Sequence, residues 1–316
     1  MHISVGFERA DGLDHIERVL VHRRALGKKY QTLSAFLPSF VKILPEDQRL
    51  LLTAVGELVF TEVQYVYHLE LIIRLYLEPL LCRCLMTRAD LWLLFSNVHL
   101  ILEAHEALLA DELSAWKKVV RTQDINVDFG EILLAHVSIF QLYAAYCSNQ
   151  SAARQFVGSK VDSRPAVKAY VTGVEQRTDL KRETLRGFLI VPVQRLCKYP
   201  LLVREVMRRT DPASPSYPKL SKLLEVVTEQ SNHVNERAIQ VERFQEMIEL
   251  SRRFVNATEF GLVSRNRYFG ASYQVTHLST GRSFLMNVMS DCILLSVRNP
   301  DAAEGSTVAA HRIVRL

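Results

Sequence analysis

The stretch of sequence that decides the fold is LRGFLIVPVQRLCKYPLLVRE, residues 185–205. Its apolar residues cover nearly every side of a helix, which is typical of a helix in the middle of a bundle. A compact polar insert of Gln194, Arg195 and Lys198 interrupts them, and Gln194 and Lys198, four residues apart, share a face. Such polar residues either extend from a buried helix to the rim of its bundle or meet a partner there.

Helical periodicity extends on both sides of this stretch, because apolar residues recur at spacings of three and four from about 48 to 250. The expected helices cover residues 48–78, 89–118, 130–148, 150–157, 164–177, 183–209 and 219–250. Glu78 precedes Pro79, and the residue before a proline disfavours the helical region, so the first helix is predicted to end there. Pro192 and Pro200 predict a kink or a local irregularity in the sixth helix.

Beyond residue 250 the period of the apolar residues changes from 3.6 to 2, which favours strands over helices. Strands are expected at 273–277, 284–288, 292–297 and 311–316, with turn residues between them. The sequence therefore predicts a mainly α protein whose helical bundle is followed by a small antiparallel β module. The expected domains are an N-terminal helical extension at 1–47, the bundle at 48–250 and the β module at 251–316.

The composition of the 316 residues is that of a folded protein, with 48% hydrophobic and 23% charged residues, which excludes a disordered or collagen-like chain. The formal net charge is +5, and residues 251–316 contribute eight arginines against four acidic residues. This basic end is compatible with weak contact to anionic membrane lipid or to an acidic protein, and equally with a solvated surface. A nucleic-acid partner is not predicted.

Several kinds of chemistry find no support in the sequence. The five cysteines are odd in number and include no C-x-x-C pair, so neither a disulfide framework nor a zinc site is predicted. Motifs for phosphate-binding loops, dinucleotide sites, nucleophile elbows and zinc proteases are absent from the sequence. We therefore expect no cofactor, no metal and no covalent catalysis. The N-terminus lacks a signal-peptide pattern and no apolar run approaches the roughly 20 residues of a bilayer span, which predicts a cytoplasmic protein.

The first predicted helix contains two glutamates in contrasting positions. At about 100° per residue, Glu57, Thr61, Gln64 and His68 form one narrow stripe opposite the apolar face. Glu62 instead projects into the middle of the apolar face, where a carboxylate is costly unless it is paired. We expect Glu62 to meet a cation or a backbone donor inside the bundle, whereas the exposed stripe faces solvent or a partner.

Four segments, in order along the chain, resemble the motifs of the Dbl homology (DH) domain of Rho-family guanine nucleotide exchange factors. PVQRLCKYPLLVRE at 192–205 resembles the signature of that domain, and ELVFTEVQYVYHL at 57–69 resembles its first motif. FQLYAAYCSN at 140–149 and NHVNE at 232–236 resemble its middle and last motifs. The resemblance covers about residues 48–250, and on it the chain is identified as a member of this family.

The resemblance implies an elongated bundle of about six helices that binds a Rho-family small GTPase in its nucleotide-free form. It implies that such a protein accelerates the release of GDP by displacing switch I, switch II and Mg²⁺, without covalent chemistry. Carried over to this chain, Glu57 faces switch I, and Lys198 and Asn235 contact switch II. Thr61 and Gln194 are expected on the same GTPase-binding surface.

The segment after residue 250 resembles part of a second domain. RSFLMNVMSDCILLS at 282–296 resembles the central hairpin of a pleckstrin homology (PH) domain, although fewer residues remain than such a domain usually needs, so a partial or divergent module is expected.

Two other functions stay open, a non-catalytic DH-fold scaffold and a membrane-associated interaction protein. Basic residues at the rim of the last helices favour a Rho-type GTPase with acidic residues opposite them; they are Arg204, Arg208, Arg209, Lys219 and Lys222.

Overall fold

The computed structural model describes residues 32–125, 127–177, 183–252, 254, 261–264, 267–298 and 308–315. In these ranges the chain forms ten α-helices followed by four β-strands, which confirms the predicted fold class. The chain divides into two compact units, with the boundary between Val234 and Asn235. The domain bounds expected from the change of period stay a prediction.

The elements have the following bounds. The helices are α1 Leu33–Phe36, α2 Glu46–Ile72, α3 Glu78–Cys82, α4 Arg88–Phe95, α5 Val98–Thr122, α6 Phe129–Ala135, α7 Ile139–Phe156, α8 Pro165–Glu175, α9 Leu185–Arg209 and α10 Ser216–Arg252. A 3₁₀-helix at Ser39–Ile43 precedes α2, and π-helical turns at Ile73–Leu77 and Val157–Val161 follow α2 and α7. The strands are β1 Phe269–Thr276, β2 Ser283–Met289, β3 Cys292–Arg298 and β4 Val308–Arg315.

Helix α2 supplies much of the core of the bundle. It starts after Pro45 with Glu46 and Asp47 in its first turn, where carboxylates interact favourably with the helix dipole. The stretch Glu46–Cys82 is long and apolar enough to cross a bilayer by length and composition alone, although no such run was expected from the sequence. Its apolar side chains are buried or half-buried in a core that they share with α4, α5, α7 and α9.

The part of the N-terminal extension that the structure describes, residues 32–44, packs on α2 and α5. The ring of Phe36 stacks on Trp116 with ring centroids 5.2 Å apart. A Cβ atom at Gly56 would lie only 2.5 Å from Cδ2 of Leu37, so the glycine makes room for this packing. The rest of the predicted extension, residues 1–31, lies outside the described residues.

Two predictions about the helices are wrong, one about where a helix ends and one about its continuity. Pro79 does not end the first helix, because the π-helical turn comes before it and the proline then occupies the first turn of α3, where its missing N–H costs nothing. The expected helix 89–118 is broken at Ser96, which has a φ of 46°. There the side chain of Asn97 donates to the carbonyl of Leu142 at 2.9 Å, a tertiary bond that the local pattern does not show.

The helices expected at 130–148 and 150–157 are also divided differently. The chain breaks at His136 and then forms one continuous helix, α7. Asn149, where a break was expected, lies inside α7 and donates to the carbonyl of Leu93 at 2.6 Å. Helix α9 stays continuous across Pro192 and Pro200, and both prolines are buried. Its N-cap is Thr184, whose hydroxyl accepts a hydrogen bond from the backbone amide of Gly187.

The β module is a four-stranded antiparallel sheet in the order β1-β2-β3-β4. Apolar residues of the sheet and of the segment before it form a small core of their own, made of Met247, Phe254, Leu262, Met289, Cys292 and Leu294. A buried polar ladder crosses three strands, because Ser272 donates to Asn287 and Asn287 donates to Ser296 at 3.1 Å. The strands predicted from the alternating pattern are therefore confirmed, with slightly wider bounds.

Candidate functional site

Helices α2 and α9 are joined by a fully buried ion pair. Arg195 donates from Nε to the Oε2 atom of Glu62 at 3.1 Å and a second time from Nη2. Tyr199 donates its hydroxyl to the same oxygen, and His105 Nδ1 lies 2.6 Å from Oε1. The expectation that Glu62 meets a cation inside the bundle is confirmed.

The charge of Glu62 is stabilised by its partners despite its burial. Burial alone raises the pKa of Glu62, but the charges of Arg195 and His105 and hydrogen bonds from His105 and Tyr199 together lower that pKa to about 2. Glu62 is therefore ionised at neutral pH. A charge pair with this many hydrogen bonds fixes the relative positions of the two helices that carry it.

The hydrogen bonds continue from the ion pair into two more helices. His105 Nε2 lies 2.8 Å from the hydroxyl of Tyr143, which donates to the hydroxyl of Tyr65 at 2.9 Å. The network thus connects α2, α5, α7 and α9 through side chains that are almost completely buried. Sequence reasoning identified Glu62 but missed His105 and the tyrosines, although each of them occupies an apolar helix face.

Predicted GTPase-binding residues lie on the outer sides of the same two helices. Glu57 of α2 is exposed, as are Gln194 and Lys198 of α9. Thr61 is half-buried, accepts a hydrogen bond from Arg195 Nη1 at 2.8 Å and donates to the carbonyl of Leu58. Its hydroxyl therefore connects the buried pair to the exposed stripe, and direct contact between Thr61 and a GTPase stays a prediction.

Contacts along the two helices bring the stripe and the polar insert to one surface. Arg195 of α9 donates a hydrogen bond to Thr61 of α2. Nearer the N-terminus of α9 and the C-terminus of α2, the ring centroids of Phe188 and His68 lie 6.2 Å apart. Helix α9 therefore runs antiparallel to α2. Burial lowers the pKa of His68, and the positive charge of Lys198 acts in the same direction, whereas the negative charge of Glu183 opposes the shift. We call the surface formed by Glu57, Gln64, Gln194 and Lys198 the α2–α9 surface.

Asn235, the remaining predicted GTPase-binding residue, lies in α10. Its side chain is outside the described part of the structure, so its role stays a prediction. No group of three or more His, Cys, Asp or Glu side chains within the described ranges is arranged to hold a metal ion. Cys82, Cys84 and Cys197 are exposed, and Cys147 and Cys292 are buried.

A second buried acid, Glu112 of α5, was not anticipated from the sequence. It is fully buried, and neither of its carboxyl oxygens has a hydrogen-bond partner among the residues that the structure describes. Burial raises the pKa of Glu112 well above its ordinary value, and the negative charge of Glu62 raises it further. Glu112 in the folded protein therefore keeps its proton to a higher pH than an exposed glutamate does.

Glu112→Gln should increase the free energy of unfolding, and the increase should grow as the pH rises. Above about pH 4.5 the unfolded chain ionises Glu112, whereas the raised pKa keeps the folded protein protonated to a higher pH, so in this range the stability of the wild type falls with pH by up to about 1.4 kcal/mol per unit. The glutamine side chain of the variant cannot ionise and is free of this effect. Urea unfolding at pH 5 and pH 8 measures the difference; an equal difference at both pH values contradicts the assignment. Glu103→Gln, at an exposed position of the same helix, is the control.

The fold defines a class of protein: a DH-like helical bundle with the polar α2–α9 surface on two of its helices. Residues 54–235 match the family model of the RhoGEF domain. The chain belongs to the RhoGEF domain family.

Curated relatives and solved structures agree with this assignment. The chain is 25% identical over 255 residues to Rho guanine nucleotide exchange factor 26 of Homo sapiens, covering 80% of this chain and 29% of the relative. It is 25% identical over 225 residues to the Myosin-M heavy chain of Dictyostelium discoideum, covering 70% of this chain and 13% of the relative. The chain thus spans less than a third of the length of either relative.

Two solved structures show the same fold as this chain. The linker-DH/PH domains of p115-RhoGEF superpose with a TM-score of 0.68 at 22% identity, covering 86% of this chain and 84% of that one. The DH/PH fragment of PDZRHOGEF, solved in complex with human RhoA, gives a TM-score of 0.69 at 20% identity, covering 85% of this chain and 81% of that one. The arrangement of a DH bundle followed by a partial PH-like module is confirmed.

Proposed function

We propose that this chain is a guanine nucleotide exchange factor that binds a Rho-family small GTPase and accelerates the release of its GDP. One observation carries the proposal. Glu57, Gln194 and Lys198 are exposed on two helices that the buried Glu62–Arg195 pair holds together. Membership in the RhoGEF domain family and the likeness to a DH/PH fragment solved with RhoA support it.

The proposed mechanism is a competition between two ligands of the GTPase. A GTPase binds its nucleotide tightly because switch I, Mg²⁺ and the phosphate-binding loop act together. A partner that binds the nucleotide-free form more tightly must weaken nucleotide binding by the same factor, because coupling between two sites is reciprocal. The exchange factor therefore makes and breaks no covalent bond.

Three residues of the α2–α9 surface have a role in this proposal. The Glu57 carboxylate binds switch I and holds it away from the metal. Lys198, together with Asn235, binds switch II and rearranges it so that it crowds the Mg²⁺ and phosphate sites. Gln194 supplies amide hydrogen bonds beside Lys198. Because α2 and α9 are already fixed by the buried network, their backbones lose little conformational freedom on binding.

The test of the proposed function is the release of fluorescent GDP from a panel of Rho-type and Rac-type GTPases. We expect the chain to accelerate release from at least one member and to bind that member more tightly without nucleotide. Binding without acceleration would indicate a scaffold, and a chain that neither binds nor accelerates any member contradicts the proposal.

Lys198→Ala should lower the exchange rate at least about 30-fold at subsaturating chain concentration. Loss of one partner of a charged hydrogen bond at an interface costs at least about 2 kcal/mol, and each 1.4 kcal/mol is a factor of ten. Lys118→Ala removes an exposed lysine from α5 instead and should leave exchange unchanged. Equal rates for the two variants would contradict the role of Lys198.

A further inference from the structure

The first turn of α10 is joined to α6 by polar side chains. Ser216 Oγ donates a hydrogen bond to Asp128 Oδ1 at 2.6 Å, and Lys219 Nζ donates to Asp128 Oδ2 at 2.7 Å. Lys219 Nζ also lies 2.6 Å from Oε2 of Glu131. We call these four residues the α6–α10 junction. Lys219 was expected at the basic rim of the last helices, but its charge is bound by two carboxylates of the same chain.

Asp128 is the centre of the α6–α10 junction because it serves both helices. Its Oδ1 atom also accepts a hydrogen bond from the backbone amide of Glu131 at 2.9 Å, which makes Asp128 the N-cap of α6. Burial raises the pKa of Asp128, but the hydrogen bonds from Lys219, from Ser216 and from this backbone amide lower it below its ordinary value. The carboxylate is therefore ionised at neutral pH and holds the starts of two helices at once.

The two helices also approach each other closely at the junction. A Cβ atom at Gly130 of α6 would lie only 3.2 Å from Cγ of Leu220. Leu220, Leu223 and Val227, in the first turns of α10, are buried in the core of the bundle. Apolar burial is not directional, whereas the hydrogen bonds to Asp128 are. The junction therefore fixes the angle of α10 at its start more closely than the apolar contacts do.

A small change of angle at the start of α10 becomes a large displacement further along the helix. The helix is continuous over 37 residues. Asn235 follows Ser216 by 19 positions, which corresponds to about 28 Å along the helix axis. A tilt of about 4° at Ser216 would therefore move the backbone of Asn235 by about 2 Å. A misplacement of about 1 Å can lower a rate about 100-fold.

We propose that Asp128 is a positioning residue for nucleotide exchange: through Ser216 and Lys219 it sets the direction of α10, and so the place of Asn235 against switch II. This inference rests on the proposed function and adds to it a residue that acts without touching the GTPase. Because Asp128 acts through Asn235, the junction should matter for exchange only while Asn235 is present.

The experiment removes both α10 donors and leaves Asp128 in place, so that the cap of α6 is retained. On the GTPase that the wild type activates, we expect Ser216→Ala/Lys219→Met to lower the rate of fluorescent GDP release about tenfold. In an Asn235→Ala background the same two substitutions should change the rate by less than about twofold, because the group that they position is already gone.

The matched control is Ser114→Ala/Lys117→Met, which removes an exposed serine and an exposed lysine with the same spacing from α5 and should leave the rate unchanged. Hydrogen exchange of the backbone amides in the free full chain is a second readout. The amides of residues 216–227 should exchange faster in the junction variant than in the wild type, and at the wild-type rate in the control.

The outcomes separate this proposal from the proposed function. If the wild type accelerates exchange and the junction variant is equally fast, the positioning role is overturned and the exchange activity stands. An equal loss with and without Asn235 also overturns it, because the junction then acts through some other group. If the wild type accelerates release from no GTPase of the panel, both proposals fail. Ser216 and Lys219 are only half-buried, so the junction variant should unfold close to the temperature of the wild type.

Discussion

Glu57→Ala should reduce nucleotide exchange by a factor between about 30 and several thousand, while the free energy of unfolding stays within about 0.5 kcal/mol of the wild type. The activity falls because an interface loses one partner of a charged hydrogen bond, which costs about 2–5 kcal/mol. The fold is unaffected because Glu57 is exposed on α2, and surface substitutions of this kind are usually close to neutral.

Two measurements check this expectation together. The release of fluorescent GDP gives the exchange rate, and urea unfolding followed by circular dichroism gives the stability. Glu103→Ala, which removes an exposed glutamate from α5, is the matched control and should keep full activity. Glu57→Gln keeps the size of the side chain and removes its charge, so it should resemble the alanine variant. Full exchange by Glu57→Ala would show that switch I is displaced by some other group.

The sequence predicted the parts of the site that depend on helical periodicity alone. The spacing of Glu57, Thr61 and Gln64 placed them on one stripe, and the structure exposes Glu57 and Gln64 there. The same spacing placed Glu62 on the apolar face, and a carboxylate in that position requires a partner wherever the chain supplies one. The cation itself, Arg195, lies 133 positions away in the sequence, so its identity as the partner was beyond a local pattern.

The errors share one physical cause, which is that tertiary contacts override local preference. The pattern runs without interruption through Ser96, yet the helix breaks there because the buried side chain of Asn97 bonds to α7. Pro79 is a strong local stop signal, but the π-helical turn before it restarts the helix. Glu112 stands at a position that the helical spacing assigns to the core, whereas a glutamate usually lies at the surface. The structure shows that its side chain is fully buried.

Arg195→Met should lower the free energy of unfolding by about 3–5 kcal/mol at pH 7. The methionine fills much of the volume of the arginine, so the main loss is electrostatic: Glu62 stays buried without its cation. The loss is large because Glu62 and the Arg195 side chain are 0% and 3% exposed, so water cannot replace the missing partner. Urea unfolding of the full chain measures it. Lys118→Met, which removes an exposed cation from α5, is the control and should be close to neutral.

The pH dependence and a double variant distinguish this mechanism from a simple packing defect. Without Arg195 the pKa of Glu62 rises, because the effect of burial, which raises this pKa, is then opposed only by His105 and Tyr199. Protonation then relieves the variant, so the stability gap between the wild type and Arg195→Met should narrow as the pH falls from 7 to 4. Glu62→Gln combined with Arg195→Met should be more stable than Arg195→Met alone, since the buried carboxylate of Glu62, left without its cation, is then removed as well. Two results together would contradict this mechanism: a stability difference between the wild type and Arg195→Met that is constant with pH, and additive stability losses from the Glu62 and Arg195 substitutions. They would mean that packing rather than charge holds α2 against α9.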